Sequence, residues 1–270
     1  MKIWQLATGL NALMIDIENE TKPEIDEILG NISRGQPIKD TWKPLKVIYK
    51  TDENKAIDFP RYTPGKNVFH ERSITVLKPL VTGLVEFLPL VDDKHPFFFC
   101  NVTNILDCVD HENSDLVIKS DYRSLYFKEE MLRTHQRHIF KIPELVRTTI
   151  YVSDEFRNAV LEAGLEGLEF IPVWDSEFTK ADELAQQERY EHYLAELEKN
   201  KGVEMDWNKA MELLNEGKAV ASAHWKLKKD ANKELLVGNL TYDLDYDFAK
   251  LIYIPPILLD LKWHEVERGE

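Results

Sequence analysis

The amino-acid sequence predicts an α+β fold with a mixed or antiparallel sheet, few helices and a smaller α+β unit at the C-terminus. Short β-branched and aromatic runs are frequent, while helical patterns are few. A charged segment without glycine or proline, residues 180–200, separates two strand-rich regions. We therefore predict one domain at residues 1–175, a charged helix or linker at 176–203, and a small second unit at 204–270.

The N-terminal region is predicted to consist mainly of strands. Apolar residues nearly alternate at positions 2–7 and 42–50, which is typical of strands, whereas helical spacing predicts a helix over Glu71–Thr82. Compact apolar or β-branched runs predict further strands at residues 97–102, 116–118, 125–127, 139–142 and 148–152.

Capping signals mark the predicted helices of the second half. Ser153 is a suitable N-cap, with Asp154 and Glu155 in the first turn, and Asp206 is a second N-cap candidate. Glycines end the predicted helices at positions 164, 202 and 217. Strands are predicted at residues 168–174, 219–225, 235–240, 251–254 and 262–266.

Composition limits the classes of partner. The 270 residues include 34 Lys and Arg against 48 Asp and Glu, so the net charge is −14. Such a chain is repelled by phosphate backbones, which makes nucleic acid a poor partner and favours a basic protein. The N-terminus is a weak signal peptide and is better interpreted as a strand, and no apolar stretch reaches about 18 residues. We expect a cytoplasmic protein without a membrane partner.

The two cysteines, Cys100 and Cys108, are predicted to be reduced, buried thiols. A nucleophilic Cys108 with His111 as its partner is conceivable. However, Asp107 and Asp110 would raise the thiol pKa and oppose thiolate formation, so a structural role is favoured.

No established catalytic or nucleotide-binding motif occurs, so the sequence predicts neither an enzyme nor a cofactor, catalytic residue or metal site. His135 and His138 would share a helix face, but Arg133 and Arg137 would repel a cation, which favours a basic surface segment.

Three alternating aspartates, Asp243, Asp245 and Asp247, resemble the opening of a calcium loop. That loop requires glycine at its sixth position and glutamate at its twelfth, where this chain has Phe248 and Ile254. The segment is instead predicted as a strand or turn. It either presents carboxylates and tyrosines to a basic partner or is an edge strand protected by charge.

Short motifs follow one another in order along residues 1–175. They are MKIW at the start, EFLPL at 86–90, NVTNILD at 101–107, IFK at 139–141, IYVSDEF at 150–156, and GLEF at 167–170 ahead of VW at 173–174. In this order and spacing the chain resembles bacterial polymorphic-toxin immunity proteins of family eleven, first catalogued as a domain of unknown function; family forty-three looks related to it. The resemblance implies an α+β protein, encoded beside a secreted toxin, that binds the toxin and protects the producing cell. It implies no catalytic residues.

A second resemblance involves the C-terminal unit. Residues 207–220, together with Trp225 and residues 262–266, are similar to small phage proteins that sequester nucleotide signals in anti-defence. The alternative function is therefore small-molecule or nucleotide binding by this unit. A deep pocket at Lys218, Trp225 and Lys226 would support it. Three lysines, Lys226, Lys228 and Lys229, either hold a phosphate or form a solvated turn.

The favoured hypothesis is an immunity protein that binds a cognate toxin with a basic cleft and occludes it. An acidic surface with interspersed aromatic residues would make the contact. The predicted contact residues are Tyr242, Asp243, Asp245, Tyr246 and Asp247, with Glu188 and Glu191 from the acidic helix.

Overall fold

The computed structural model divides the chain into two compact units, Met1–Phe178 and Thr179–Glu270, which are described separately. The structure describes residues 1–18, 22–51, 55–63, 65–118, 121–134 and 137–267.

The first unit is built from short strands. In chain order they are β1 (Lys2–Thr8), β2 (Ala12–Ile17), β3 (Val47–Tyr49), β4 (Ala56–Arg61), β5 (Asn67–His70), β6 (Val85–Pro89), β7 (Phe97–Val102), β8 (Asp115–Ile118), β9 (Asp121–Ser124), β10 (Ile139–Phe140), β11 (Tyr151–Ser153) and β12 (Leu168–Asp175). They form sheets with the orders β10-β11-β1-β12, β3-β2-β4 and β5-β7-β6, and a β8-β9 pair. β2 and β4 run parallel, and the other named pairs are antiparallel.

The helices of the first unit are α1 (Lys22–Ser33), α2 (Glu71–Val81), α3 (Glu129–Thr134) and α4 (Asp154–Glu162). The N-cap of α4 is Ser153, whose hydroxyl accepts a hydrogen bond from the backbone N–H of Phe156. Phe156 and Val160 pack into a core with Leu77 and Val81 of α2. An apolar stripe at helical spacing therefore buries each helix against the other and against the sheet.

The second unit has a single five-stranded antiparallel sheet among its described residues. Its strands are β13 (Ala219–Ser222), β14 (Trp225–Lys229), β15 (Leu235–Leu240), β16 (Tyr246–Lys250) and β17 (His264–Val266), and its helices are α5 (Lys180–Lys199), α6 (Trp207–Asn215) and α7 (Pro256–Asp260). The strand order is β16-β15-β14-β13-β17, so β16 and β17 are the edges. Leu213 and Leu214 of α6 pack with Val220, Leu227 and the fully buried Trp263.

These elements confirm the predicted α+β class. Within the described residues, no helix is long and apolar enough to span a membrane.

Several predicted strands differ from those observed. Residues 251–254 form no strand, and β16 pairs with β15 instead. Pro255 and Pro256 explain the difference, because proline lacks an N–H donor and restricts the residue before it. The predicted strand at 219–225 is interrupted by a turn at Ala223 and His224, and residues 42–50 contain only the short strand β3. Residues 125–127 also lie outside named strands, and Phe127 forms an isolated bridge with Val109.

Candidate partner-binding surface

The predicted aspartates lie on the turn between β15 and β16. The backbone N–H of Thr241 donates to the carbonyl of Asp245 at 2.8 Å, and that of Leu244 donates to Thr241 at 3.0 Å. Leu244 has a φ of +65°, the left-handed conformation that closes this tight turn. Asp243 and Asp245 are exposed on it, and Tyr242 is 57% exposed.

β16 alternates between the two faces of the sheet. Tyr246 and Phe248 are half-buried on one face, whereas Asp247 is exposed on the other. The Lys226 Nζ lies 5.3 Å from the centroid of the Tyr246 ring. Burial, followed by the neighbouring Tyr193 and Tyr190 hydroxyls, raises the pKa of Tyr246. Tyr246 therefore packs within the second unit, and Tyr242 is the more accessible aromatic residue.

Helix α5 is held against this turn by one of its faces. The Tyr190 ring packs on the Tyr242 ring with centroids 4.8 Å apart, and the Tyr190 hydroxyl donates to the Leu240 carbonyl at 3.4 Å. One turn earlier, the Gln186 amide donates to a carboxylate oxygen of Asp243 at 3.1 Å. The spacing of four residues places both contacts on the same side of the helix.

The two predicted glutamates of α5 lie away from the helix face that contacts the turn. Glu188 lies two positions from both Gln186 and Tyr190, about 200° around the helix, so it projects from the opposite face. Glu191 is exposed on the flank and accepts a hydrogen bond from the Gln187 amide at 2.9 Å. We define the acidic edge as Tyr242, Asp243, Asp245 and Asp247, the exposed members of the predicted set that lie on the β15–β16 turn or on β16.

A group of exposed apolar side chains follows β16, and sequence reasoning missed it. Ile252 is 90% exposed and Tyr253 is 71% exposed, and Ile257 and Leu259 are also accessible. Ile252 and Tyr253 lie in the loop after β16, whereas Ile257 and Leu259 lie on α7; we call the four residues together the apolar loop. The sequence signal is the run of apolar residues before Pro255, from which a strand at residues 251–254 is predicted. Clustered exposed apolar residues are typical of interaction surfaces.

A cleft of about 290 Å³ lies between α5 and the sheet of the second unit. Lys226, Tyr246 and His264 line it, together with Tyr193 and Glu198 of the helix. Burial and the nearby Lys228 lower the pKa of Lys226, against the opposing effect of Glu267. Burial also lowers the pKa of His264, against the effect of Glu198.

Of the three residues expected to converge on a ligand pocket, only Lys226 lines this cleft. Lys218 forms an ion pair with Glu265 at 3.0 Å. Trp225 instead packs against the apolar core on the other face of the sheet.

The two cysteines are free and buried, as predicted. Burial raises the pKa of both thiols to about 12, and for Cys108 the Glu144 and Asp107 carboxylates contribute to the increase. His135 lies outside the described residues. His138 Nδ1 is 3.0 Å from the Ser153 hydroxyl, and burial lowers its pKa.

The fold defines an α+β protein that exposes Asp243 and Asp245 on the turn between β15 and β16. The model of the immunity protein family Imm11 matches residues 13–175, more than half of the chain. The chain belongs to this immunity protein family, in agreement with the resemblance of its motifs. The match lies within the first unit. No curated protein matches the chain.

Proposed function

We propose that this protein is a cytoplasmic immunity protein that binds a cognate bacterial toxin and blocks its active cleft without catalysing a reaction. Membership of the immunity protein family supports the general role. The observation that carries the choice of surface is the position of the acidic edge, exposed on edge strand β16 and on the turn before it, in a chain whose net charge is −14.

The edge position makes β16 available to a partner. One side of β16 pairs with β15, and no other strand of the described chain pairs with its opposite side. Free N–H and C=O groups along an edge can pair with another chain, and nearby charges prevent indiscriminate pairing. The aspartates therefore discourage self-association while leaving the edge open to a partner of opposite charge.

The apolar loop adds the uncharged part of a binding surface. It begins two residues after β16 ends, so Ile252 and Tyr253 follow the edge strand closely along the chain. Interfaces combine aromatic or apolar anchors with a polar rim, and the anchors contribute most of the binding free energy. Tyr253 is the proposed anchor, and the acidic edge forms part of the rim.

The proposed occlusion of the toxin's active cleft follows from the opposite charges of the two surfaces. Toxins that act on nucleic acid carry basic clefts, and carboxylates at the acidic edge would replace substrate phosphates in such a cleft. Opposite charges also accelerate association, an effect that salt weakens. Toxin binding should therefore be fast at low ionic strength and slower as salt is added.

The test is the triple variant Asp243→Lys, Asp245→Lys and Asp247→Lys in the full chain, with the toxin encoded beside the gene. We expect weaker toxin binding, a smaller dependence of the association rate on salt, and loss of growth rescue in co-expression. Surface plasmon resonance at several salt concentrations measures the first two effects.

The matched control replaces Glu162, Glu166 and Glu169 by lysine. These three carboxylates are exposed on the first unit, and their reversal changes the net charge equally. Binding that is unchanged in the triple aspartate variant would contradict the proposed surface. Loss of binding in the control alone would assign toxin recognition to the first unit.

A second candidate function is binding of a small anionic molecule, such as a nucleotide, in the cleft of the second unit. The placement of Lys226 beside the Tyr246 ring supports it, because an amine and an aromatic face can together hold a phosphate and a base. Thermal-shift measurements with a nucleotide panel test this candidate. A stabilising nucleotide should lose its effect in Lys226→Ala and retain it in Lys250→Ala, whose side chain pairs with Glu234 outside the cleft.

A further inference from the structure

Three side chains with metal-binding groups meet in the first unit. One ligand atom from each of Asp107, His111 and Glu144 lies within 4.8 Å of the other two. His111 Nε2 is 3.2 Å from an oxygen of Glu144. The cluster combines two carboxylates and an imidazole. Imidazole is a ligand that transition metals such as Zn²⁺ prefer, whereas carboxylates alone suit Mg²⁺ or Ca²⁺.

Buried neighbours fix the backbone on both sides of the cluster. Asp107 lies between Leu106 and the fully buried Cys108, and Leu145, next to Glu144, is also buried. The N–H of Leu106 donates to the carbonyl of Lys141 at 2.9 Å, which joins the segment before Asp107 to the segment before Glu144. The backbone positions of Asp107 and Glu144 are therefore set by the core of the first unit.

The turn that carries His111 is held by a fourth residue. One oxygen of Asp110 accepts hydrogen bonds from the backbone N–H groups of Glu112 and Asn113, and the other accepts from the Asn113 amide at 2.7 Å. The N–H of Asp110 donates to the carbonyl of Tyr126 at 2.8 Å. Both oxygens of Asp110 are therefore used to hold the turn. The turn places the exposed imidazole of His111 beside Glu144.

Glu144 lacks part of the solvation that a carboxylate requires. Its side chain is only 23% exposed, and its Oε2 atom is buried without a hydrogen-bond partner in the described part of the chain. A poorly solvated carboxylate is costly unless a cation or donor compensates it. The imidazole of His111 contacts the other oxygen, Oε1, at 3.2 Å, so it leaves Oε2 without a donor among the described residues. A metal ion bound by Glu144 would compensate the charge of the whole carboxylate.

We propose that Asp107, His111 and Glu144 bind a divalent transition metal ion of the Zn²⁺ type. Zn²⁺ binds imidazole nitrogen and carboxylate oxygen at about 2.0–2.2 Å, so two ligands of a tetrahedral ion lie about 3.3 Å apart. The separation of His111 and Glu144 already matches this spacing. Asp107 is exposed and reaches the ion by side-chain rotation, and water fills the fourth position.

The ion would cross-link the 107–111 segment to the turn at Pro143–Leu145, and would thereby stabilise the first unit. This inference does not depend on the proposed toxin, because the binding and its effect on unfolding are properties of the isolated chain.

The experiment is a titration of the chelator-treated full chain with Zn²⁺ by isothermal calorimetry, with thermal unfolding as a second readout. We expect one saturable site per chain and a higher unfolding temperature with Zn²⁺. His111→Ala and Asp107→Asn should each weaken binding at least tenfold and remove the thermal shift. Both residues are exposed, and circular dichroism of the metal-free variants verifies their fold.

The matched control is His192→Ala. His192 Nε2 lies 3.5 Å from an oxygen of Glu196 on exposed helix α5, which reproduces the imidazole–carboxylate pair outside the three-residue cluster. Zn²⁺ affinity should be unchanged in this variant. The proposal is overturned if the parent chain shows no saturable binding, or if His111→Ala and Asp107→Asn bind Zn²⁺ as tightly as the His192→Ala control.

Discussion

The amine of Lys141 is buried in the first unit and donates a hydrogen bond to the carbonyl of Ser33 at 2.8 Å. It also donates to the carbonyl of Ile32 at 3.1 Å. Ser33 is the last residue of α1, where carbonyl groups have no partner within the helix. Lys141 is only 1% exposed, so a core lysine completes the C-terminus of α1.

This contact predicts a pH-dependent stability. Burial lowers the pKa of Lys141 from 10.5 to about 8, with a smaller opposing effect of Cys100. Between these values the unfolded chain binds the proton more tightly, so the free energy of unfolding should rise with pH from about 8 to 10.5. Between pH 7 and 9.5, the free energy of unfolding of the parent protein should increase by about 2 kcal/mol relative to that of Lys141→Met. Urea unfolding of both proteins at both pH values measures this difference. The same change of the free energy of unfolding with pH in the parent and in Lys141→Met would refute the prediction.

A second prediction concerns the ion pair between Asp58 and Arg72. Asp58 is buried, and its carboxylate accepts hydrogen bonds from Arg72 at 3.0 and 3.2 Å and from the N–H of Glu166 at 3.0 Å. Asp58→Ala should lower the free energy of unfolding by about 2–4 kcal/mol, because several donors lose their acceptor. Asp115→Ala removes the exposed pair with Arg123 and should cost less than about 1 kcal/mol. Equal losses in the two variants would show that burial of Asp58 is unimportant.

A third prediction concerns Gly238 on β15. A Cβ atom at this position would lie 2.6 Å from the Phe248 ring. Gly238→Ala should therefore destabilise the second unit by about 1–3 kcal/mol through overpacking. Gly202→Ala is the control, since nothing lies within 4 Å of its Cβ position. The double variant Gly238→Ala with Phe248→Leu should recover part of the loss, and no recovery would mean that the ring is not the cause.

A fourth prediction concerns the thiols. With pKa values raised to about 12, Cys100 and Cys108 hold almost no thiolate at pH 8, and both are buried. A disulfide reagent such as dithionitrobenzoate should therefore react slowly with the folded chain and rapidly with two thiols per chain in guanidinium. Fast labelling of one cysteine in the folded protein would contradict the structural role.

Local sequence signals predicted several elements closely. The sequence predicts Ser153 and Asp206 as N-caps, and in the structure each side chain accepts a backbone hydrogen bond at the start of its helix. The strand predicted at residues 235–240 is β15 with the same bounds. These features were predictable because capping and strand alternation depend on residues that are close in the chain.

Structural features that depend on contacts between residues far apart in the chain could not be predicted from the sequence. The Asp243–Asp247 segment stays together because it is local, whereas the separation of Glu188 from it depends on which face of α5 packs on the sheet. His111 and Glu144 are 33 positions apart, and their 3.2 Å contact exists only because two segments meet beside Leu106.

The sequence by itself determined the α+β class, the starts of α4 and α6, the buried thiols and the similarity to immunity proteins. Each of these follows from local patterning or from ordered motifs. Only the tertiary structure decided that β16 is an edge strand, that Lys141 is buried against α1, and that Asp107 meets Glu144. These arrangements arise when the whole chain packs its apolar side chains, and that packing brings polar groups together without leaving a local pattern in the sequence.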